Sequence, residues 1–261
     1  MSRMAMGRLI VLALAMSLGA CDESTGPAGT EQVSVAFSGS GGAVGAAPAG
    51  LSRSLVAQDV TVAGTNGTLV IEDLRIIVAE FELERISDDG CSNLVDDDAC
   101  EKFEAAPVFV DVPLDGGQTV AVTAPVDPDT YDELDFEIED LEDDEEDPVK
   151  AQQIEALMAA ILAEFPDWPR EASMLVTGTF TPTGGSPQAF RAYFEAEVEI
   201  EIELVPPVTV TDDGNGATFT VNIDPSLWFT NPDGTVRNLA ELDYDATGQV
   251  VEFEVEIENG F

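Results

Sequence analysis

Aspartates cluster around a short segment that is bounded by Cys91 and Cys100. Hard cations such as Ca²⁺ bind several oxygen ligands at once, and clustered carboxylates supply those oxygens. The segment is therefore the first candidate for a calcium site, ahead of the acidic runs at 140–147 and 212–213. None of the three has the EF-hand spacing of alternating acids, a central glycine and a closing glutamate. The candidate ligands are Asp88, Asp89, Asp96, Asp97 and Asp98.

Histidine is absent from the 261 residues. The chain therefore lacks the commonest general base and cannot form a serine–histidine triad. Glycosidases use two carboxylates instead, but a chain with 52 acidic residues contains many such pairs by chance. We expect no catalytic residues and no enzymatic activity.

The N-terminus has the pattern of an export signal. Arg3 and Arg8 precede an apolar run, Leu9 to Leu18, and two small residues then precede Cys21. The pattern resembles the lipobox of bacterial lipoproteins, in which the cysteine is acylated and becomes the first mature residue. The resemblance implies a signal peptide over 1–20 and lipidation of Cys21. The implied location is the cell envelope, on the periplasmic side of the inner or outer membrane or on the cell surface. Secretion without lipid is the alternative.

The remaining two cysteines form an even pair. If Cys21 carries lipid, Cys91 and Cys100 are left, and an exported protein reaches an oxidising compartment. We therefore predict a disulfide between Cys91 and Cys100, which would close the acidic segment.

The charge of the chain is strongly negative, at −42. Such a surface repels nucleic acid and anionic headgroups, so contact with the membrane is expected only through the lipid. Cations, a glycan or a basic protein are the expected partners, and calcium is the only cofactor considered. Solubility or adaptation to salt is the alternative reason for the charge.

The pattern of apolar residues predicts a mainly β fold. We expect a flexible Gly/Ala/Ser-rich tether over 21–55, containing one short strand, and an acidic antiparallel β-sandwich over 56–261. The sandwich is one domain or two subdomains that divide near 140–170. Turn residues predict two hairpins, one at 108–123 and one at 208–223. One inserted amphipathic α-helix is predicted near 148–165, capped by Asp147.

Two predicted strands carry glutamate at every second residue. Glu195 to Glu203 and Glu252 to Glu258 alternate with apolar residues, so each row of carboxylates shares one face of its strand. Adjacent rows would repel each other. Three arrangements would avoid this: rows on different sheets, rows that face Arg75, Arg85 and Arg191, or rows that bind cations. A solvated face that blocks edge-to-edge aggregation is the simplest interpretation.

Several stretches resemble uncharacterised bacterial lipoproteins that carry a prealbumin-like β-sandwich domain of unknown function. One of them is the turn from Asp127 to Tyr131, which reads Asp-Pro-Asp-Thr-Tyr. The resemblance implies an Ig-like or prealbumin-like sandwich in the cell envelope, and it implies no catalytic residues. The stretches are Asn66 to Glu84, Pro107 to Leu114, Val126 to Glu139 and Asp224 to Phe229.

The leading functional hypothesis is a non-catalytic lipoprotein of the cell envelope that acts as a binding or structural module. A calcium- or carbohydrate-binding surface domain is the second hypothesis, with Trp228 and Phe229 as either a sugar-stacking platform or a plug of the core. A carboxylate-based glycoside hydrolase is the third.

Overall fold

The computed structural model describes residues 31–39, 59–86, 102–141, 147–211 and 217–258. Within these ranges the chain is mainly β, as predicted, and its strands form an eight-stranded and a three-stranded sheet. In the same ranges no helix is long and apolar enough to cross a membrane.

Eleven strands form in the described ranges, and most of their pairings are antiparallel. The pairs β1–β10 and β9–β11 run parallel. The strands are β1 (Glu31–Gly39), β2 (Val60–Ala63), β3 (Gly67–Arg85), β4 (Lys102–Glu104), β5 (Val108–Asp111), β6 (Thr119–Val126), β7 (Thr130–Ile138), β8 (Met174–Pro182), β9 (Gln188–Thr209), β10 (Thr218–Ile223) and β11 (Val251–Glu258).

Two long strands organise the large sheet. Strand β3 has 19 residues and β9 has 22. Strands β7 and β8 lie end to end between them, because each pairs with both β3 and β9. Strands β2, β5 and β4 follow one another along the opposite edge of β3, and β11 lies outside β9.

The small sheet has β1 at its centre, between β10 and β6. Both sheets contribute to one hydrophobic core, and the ring centroids of Phe37 and Phe136 are 5.5 Å apart across it. Strand β1 lies within the range 21–55, where it forms part of the fold rather than of a tether. Val35 and Phe37 have no exposed surface.

Both predicted hairpins are wrong. Strand β5 pairs with β3 in the large sheet, whereas β6 pairs with β1 in the small sheet. Likewise β9 belongs to the large sheet and β10 to the small one. The local turn chemistry at the first site is nevertheless present, since Gly117 N donates to Asp115 Oδ1 and Gly116 has a φ of 74°. This turn leads from one sheet to the other instead of joining neighbouring strands.

The predicted helix is confirmed as α1 (Pro148–Glu164). Asp147 caps it by accepting hydrogen bonds from the backbone N–H groups of Val149 and Lys150. Met158 and Ile161 are buried against the large sheet, whereas the next residue, Leu162, is 38% exposed. Short helices follow at α2 (Pro225–Trp228) and α3 (Tyr244–Thr247), with a 3₁₀ helix at Leu239–Leu242.

Candidate cation-binding face

The outer surface of the large sheet is divided into an apolar and an acidic half. At one end Ile77, Leu175 and Tyr193 are fully buried under α1 and the segment that carries Trp168. After Ile77, the residues on the same side of β3 are the carboxylates Glu80, Glu82 and Glu84. We call this half the acidic face. It consists of Glu80, Glu82, Glu84, Lys102, Glu104, Glu133, Asp135, Glu137, Glu199 and Glu201.

The strand register places acid beside acid across the acidic face. Its central row runs from Glu104 through Glu82 and Asp135 to Glu201, because these residues are successive cross-strand partners on β4, β3, β7 and β9. A second row joins Glu80, Glu137 and Glu199, and a third joins Lys102, Glu84 and Glu133. Each directly opposed pair of like charges costs about 0.2–1 kcal/mol. The face therefore concentrates repulsion that the fold has to offset.

The two glutamate rows recognised in the sequence lie next to each other. Strands β9 and β11 are parallel and in register, so that Glu195 pairs with Glu252 and the later glutamates pair in the same way along the backbone. The arrangement with rows on different sheets is therefore wrong.

Among the described residues, the three arginines form their ion pairs with acids outside the two rows. Arg75 pairs with Asp73, Asp111 and Glu164, Arg85 pairs with Asp127 and Asp129, and Arg191 pairs with Asp245. Two interpretations of the rows stay open: a solvated face and the binding of cations.

Both lysines of the chain lie at the acidic face. Lys102 Nζ is 2.5 Å from Glu82 Oε1, and this ion pair lies in the interior of the face, because only 8% of Glu82 is exposed. Lys150, in the first turn of α1, forms an ion pair with Glu104, and its Nζ is 4.0 Å from Glu80 Oε1. One side of the acidic face therefore already holds two positive charges.

Crowding and burial make two of the carboxyl groups weak acids. Burial raises the pKa of Glu80 to about 7, and a hydrogen bond and repulsion from Glu82 contribute to the shift. Burial also raises the pKa of Asp135 to about 7, with further contributions from Glu133 and Glu84. Both groups therefore change charge near neutral pH, whereas an isolated carboxyl group is fully ionised there.

A shallow groove of about 290 Å³ runs over the acidic face. Two groups of three acids lie along the groove, and in each group one carboxylate oxygen per residue lies within 4.8 Å of the other two. The first group is Glu84, Glu133 and Asp135, and the second is Glu80, Glu82 and Glu104. Ligands of one Ca²⁺ ion, each at about 2.3–2.6 Å from it, can be up to about 5 Å apart. Asp135 Oδ1 is buried and accepts no hydrogen bond from the described residues. Either group could thus supply three ligands to one ion.

The site residues predicted from the sequence lie outside the described residues. These are the lipidation site Cys21, the disulfide cysteines Cys91 and Cys100, and the calcium candidates Asp88, Asp89, Asp96, Asp97 and Asp98. The core-plug interpretation applies to Phe229, which is 1% exposed and has its ring centroid 6.1 Å from that of Phe253. Trp228 packs against the same core and is partly buried.

Sequence reasoning missed the acids of β3 and β7. Glu80 to Glu84 and Glu133 to Glu137 alternate with apolar residues just as the two glutamate rows do. The same period of two could have identified them as carboxylates on one face of a strand.

No protein-family model, curated protein or solved structure matches the chain. The geometry of the acidic face is therefore the basis for assigning a function.

Proposed function

We propose that the chain is a non-catalytic lipoprotein of the cell envelope, attached to the membrane through lipid on Cys21, that binds cationic ligands on its acidic face. The observation that carries this proposal is the register of β3, β7 and β9, which aligns carboxylates on all three strands. The two sheets with a shared core are consistent with a prealbumin-like β-sandwich as the domain that displays the face.

Solubility alone does not require this arrangement. Charges that serve solubility act equally well at exposed positions, such as Glu155 and Glu171. On the acidic face, Glu82 is almost fully buried, and Asp135 and Glu137 are half-buried. Burying a carboxylate beside others destabilises the fold unless a positive charge comes close. A bound cation supplies that positive charge and offsets the destabilisation, which is why we propose that the face binds cations.

A binding module is favoured over a carboxylate-based hydrolase by the lining of the groove. Groups such as Asp135, with a pKa of about 7, are typical of catalytic acids. The one aromatic residue that lines the groove, however, is Phe136, whose side chain is fully buried in the core. The groove lining thus offers no aromatic surface on which a sugar ring could stack. It does offer many carboxylate oxygens, which suit a cation.

Calcium is the small cation that we propose for the group Glu84, Glu133 and Asp135. The test is the thermal unfolding midpoint of the purified protein with CaCl₂, with MgCl₂ and with NaCl at matched ionic strength. We expect Ca²⁺ to raise the midpoint by a few degrees and Mg²⁺ to raise it less, because Mg²⁺ dehydrates reluctantly.

Two double variants with the same change in charge identify the site. Glu84→Gln/Glu133→Gln should abolish the Ca²⁺ effect, whereas Glu155→Gln/Glu171→Gln, which changes exposed acids that do not line the groove, should retain it. No effect of Ca²⁺ on the parent protein, or an equal effect on both double variants, would contradict the proposal.

The lipid anchor has a separate test. Labelling with palmitate followed by membrane fractionation should place the parent protein with the membranes. The Cys21→Ala protein should be unlabelled and soluble. If this variant stays as firmly bound as the parent, the anchor is elsewhere.

A further inference from the structure

Strand β10 forms one edge of the small sheet, and β1 is its one strand partner within the described ranges. Ser34 N donates to the carbonyl oxygen of Ala217, so Ser34 turns its backbone groups toward β10. In a parallel pair, the backbone groups of successive residues point to alternate sides of the strand. The N–H and C=O groups of Thr218, Thr220 and Asn222 therefore point away from β1. All three residues are exposed, so their backbone groups offer an open edge for another strand.

The other described edge strands carry features that prevent such pairing. Edge strands of soluble proteins are protected by charged residues, by proline, by bulges or by short length. Strand β11 has glutamate at every second residue, and β6 contains Pro125 and a register shift against β1. Strands β2, β4 and β5 have only three or four residues. Strand β10 has none of these features, because its six residues, Thr-Phe-Thr-Val-Asn-Ile, pair with β1 in unbroken register.

The surroundings of this edge are uncharged as well. The cross-strand neighbours of its three outward-facing residues are Ser34, Ala36 and Ser38 of β1. The chain carries 52 acidic residues and a net charge of −42, so repulsion opposes most contacts between two copies. A basic partner is drawn to acidic surfaces rather than to this edge. A second copy of the chain, in contrast, presents the same uncharged strand and meets no opposing carboxylate there.

We propose that β10 pairs antiparallel with β10 of a second copy of this chain, which joins the two small sheets into one continuous sheet. A two-fold axis relates the copies, so one surface serves both. The register that uses every outward backbone group pairs Thr220 with the partner's Thr220 and Thr218 with the partner's Asn222. Each such pair exchanges two hydrogen bonds. The inference is separate from the proposed function, because the acidic face lies on the large sheet.

The dimer should be weak and should become stronger as salt is added. A single pair of strands buries far less than the ~800 Å² per partner of a standard interface. Because both copies are strongly negative, salt screens the repulsion between them. Attraction between a basic partner and an acidic surface has the opposite dependence on salt. Sedimentation velocity of the full-length Cys21→Ala protein, which cannot associate through lipid on Cys21, should show more dimer in about 0.5 M NaCl than in about 0.02 M NaCl.

Disulfide trapping in the Cys21→Ala protein tests the register. Thr220→Cys places the two new thiols on directly opposed residues, with Cα atoms about 5.5 Å apart, which a disulfide can span. Thr218→Cys is the matched control on the same edge, since its two new thiols would lie about 13 Å apart along the strands. Under mild oxidation, we expect Thr220→Cys to form a covalent dimer about tenfold faster than Thr218→Cys. The rate for Thr218→Cys should equal the background that Cys91 and Cys100 give without either change.

Two charge variants locate the contact by sedimentation. Thr220→Glu places a carboxylate directly opposite that of the partner, so the dimer should be lost. Thr123→Glu adds the same charge at an exposed position of β6, at the other edge of the small sheet, and should retain the dimer. Circular dichroism confirms that both variants are folded.

Three results would overturn the inference. Equal trapping of Thr220→Cys and Thr218→Cys would show random collision, and a dimer that survives Thr220→Glu would lie on another surface. A protein that stays monomeric at both salt concentrations, and is not trapped by Thr220→Cys, would show that β10 does not pair with its copy. The Ca²⁺ effect on the melting midpoint is measured separately, so none of these results decides the proposed function.

Discussion

Replacing Lys102 by methionine tests how the acidic face tolerates its own charge. The substitution keeps the length of the side chain but removes the ammonium group that lies 2.5 Å from Glu82 Oε1. Glu82, which is only 8% exposed, then has acidic neighbours on both sides, Glu104 on β4 and Asp135 on β7. Removing one partner of a fully buried ion pair costs about 3–5 kcal/mol. Because the Lys102 side chain is 38% exposed, screening by solvent reduces the expected loss to about 1–2 kcal/mol.

Urea unfolding, followed by the fluorescence of the buried Trp168, measures this loss. We expect Lys102→Met to lower the free energy of unfolding by about 1–2 kcal/mol at about pH 8. Lys102→Arg keeps the charge and should retain most of the stability. At about pH 5.5 the loss should be smaller, because Glu80 and Asp135, with pKa values of about 7, are then mostly neutral.

The double variant Glu82→Met/Lys102→Met completes a thermodynamic cycle. Replacing both partners of a buried pair by apolar groups is often nearly neutral. We therefore expect the double variant to be more stable than Lys102→Met alone. If Lys102→Met is as stable as the parent at about pH 8, the reasoning that this ion pair stabilises a buried carboxylate is refuted.

Three further predictions concern pH and packing. Folding raises the pKa values of Glu80 and Asp135 to about 7, above their unfolded values, so their contribution to stability is fully present at low pH and is lost as pH rises through 7. Urea unfolding should therefore give a free energy of unfolding about 1 kcal/mol lower at about pH 8 than at about pH 5.5. A free energy of unfolding that stays constant or rises over this range would contradict the prediction. Gly178→Ala should cost about 1–3 kcal/mol in the same assay, because its Cβ would lie 2.0 Å from the carbonyl oxygen of Val70, and an unchanged stability would show that no close approach exists. Ile161→Ala should cost about 2–4 kcal/mol, because this side chain lies on the buried side of α1 and is 1% exposed, whereas alanine at the exposed Leu162 should cost much less.

Local patterns in the sequence predicted the elements well. A period of two marks β7 and the part of β9 from Glu195 to Glu203, since one face of each is buried and the other carries acidic residues. Asp147 followed by Pro148 marked the start of α1, because an aspartate cap and a proline at the first position both satisfy the helix N-terminus. These signals act within a few residues and need no knowledge of the rest of the chain.

Strand pairing could not be predicted in the same way. The turn at Asp115 to Gly117 forms as its residues require, yet its flanking strands lie in different sheets. The acidic face depends on the same kind of non-local information. Alternation fixes which side of β7 carries Glu133, Asp135 and Glu137, but it does not say that β3 and β9 are the neighbours of β7. The candidate site therefore emerged only when the strands were placed side by side.

Carbon-13 NMR of the side-chain carboxyl groups during a titration with CaCl₂ tests most directly whether the acidic face binds cations. If the acidic face binds Ca²⁺, the carboxyl signals of Glu84, Glu133 and Asp135 move together and saturate, while those of Glu155 and Glu171 stay in place. Saturating shifts confined to acids outside the face, such as Asp96 to Asp98, or no saturating shift at any carboxyl group, would contradict it.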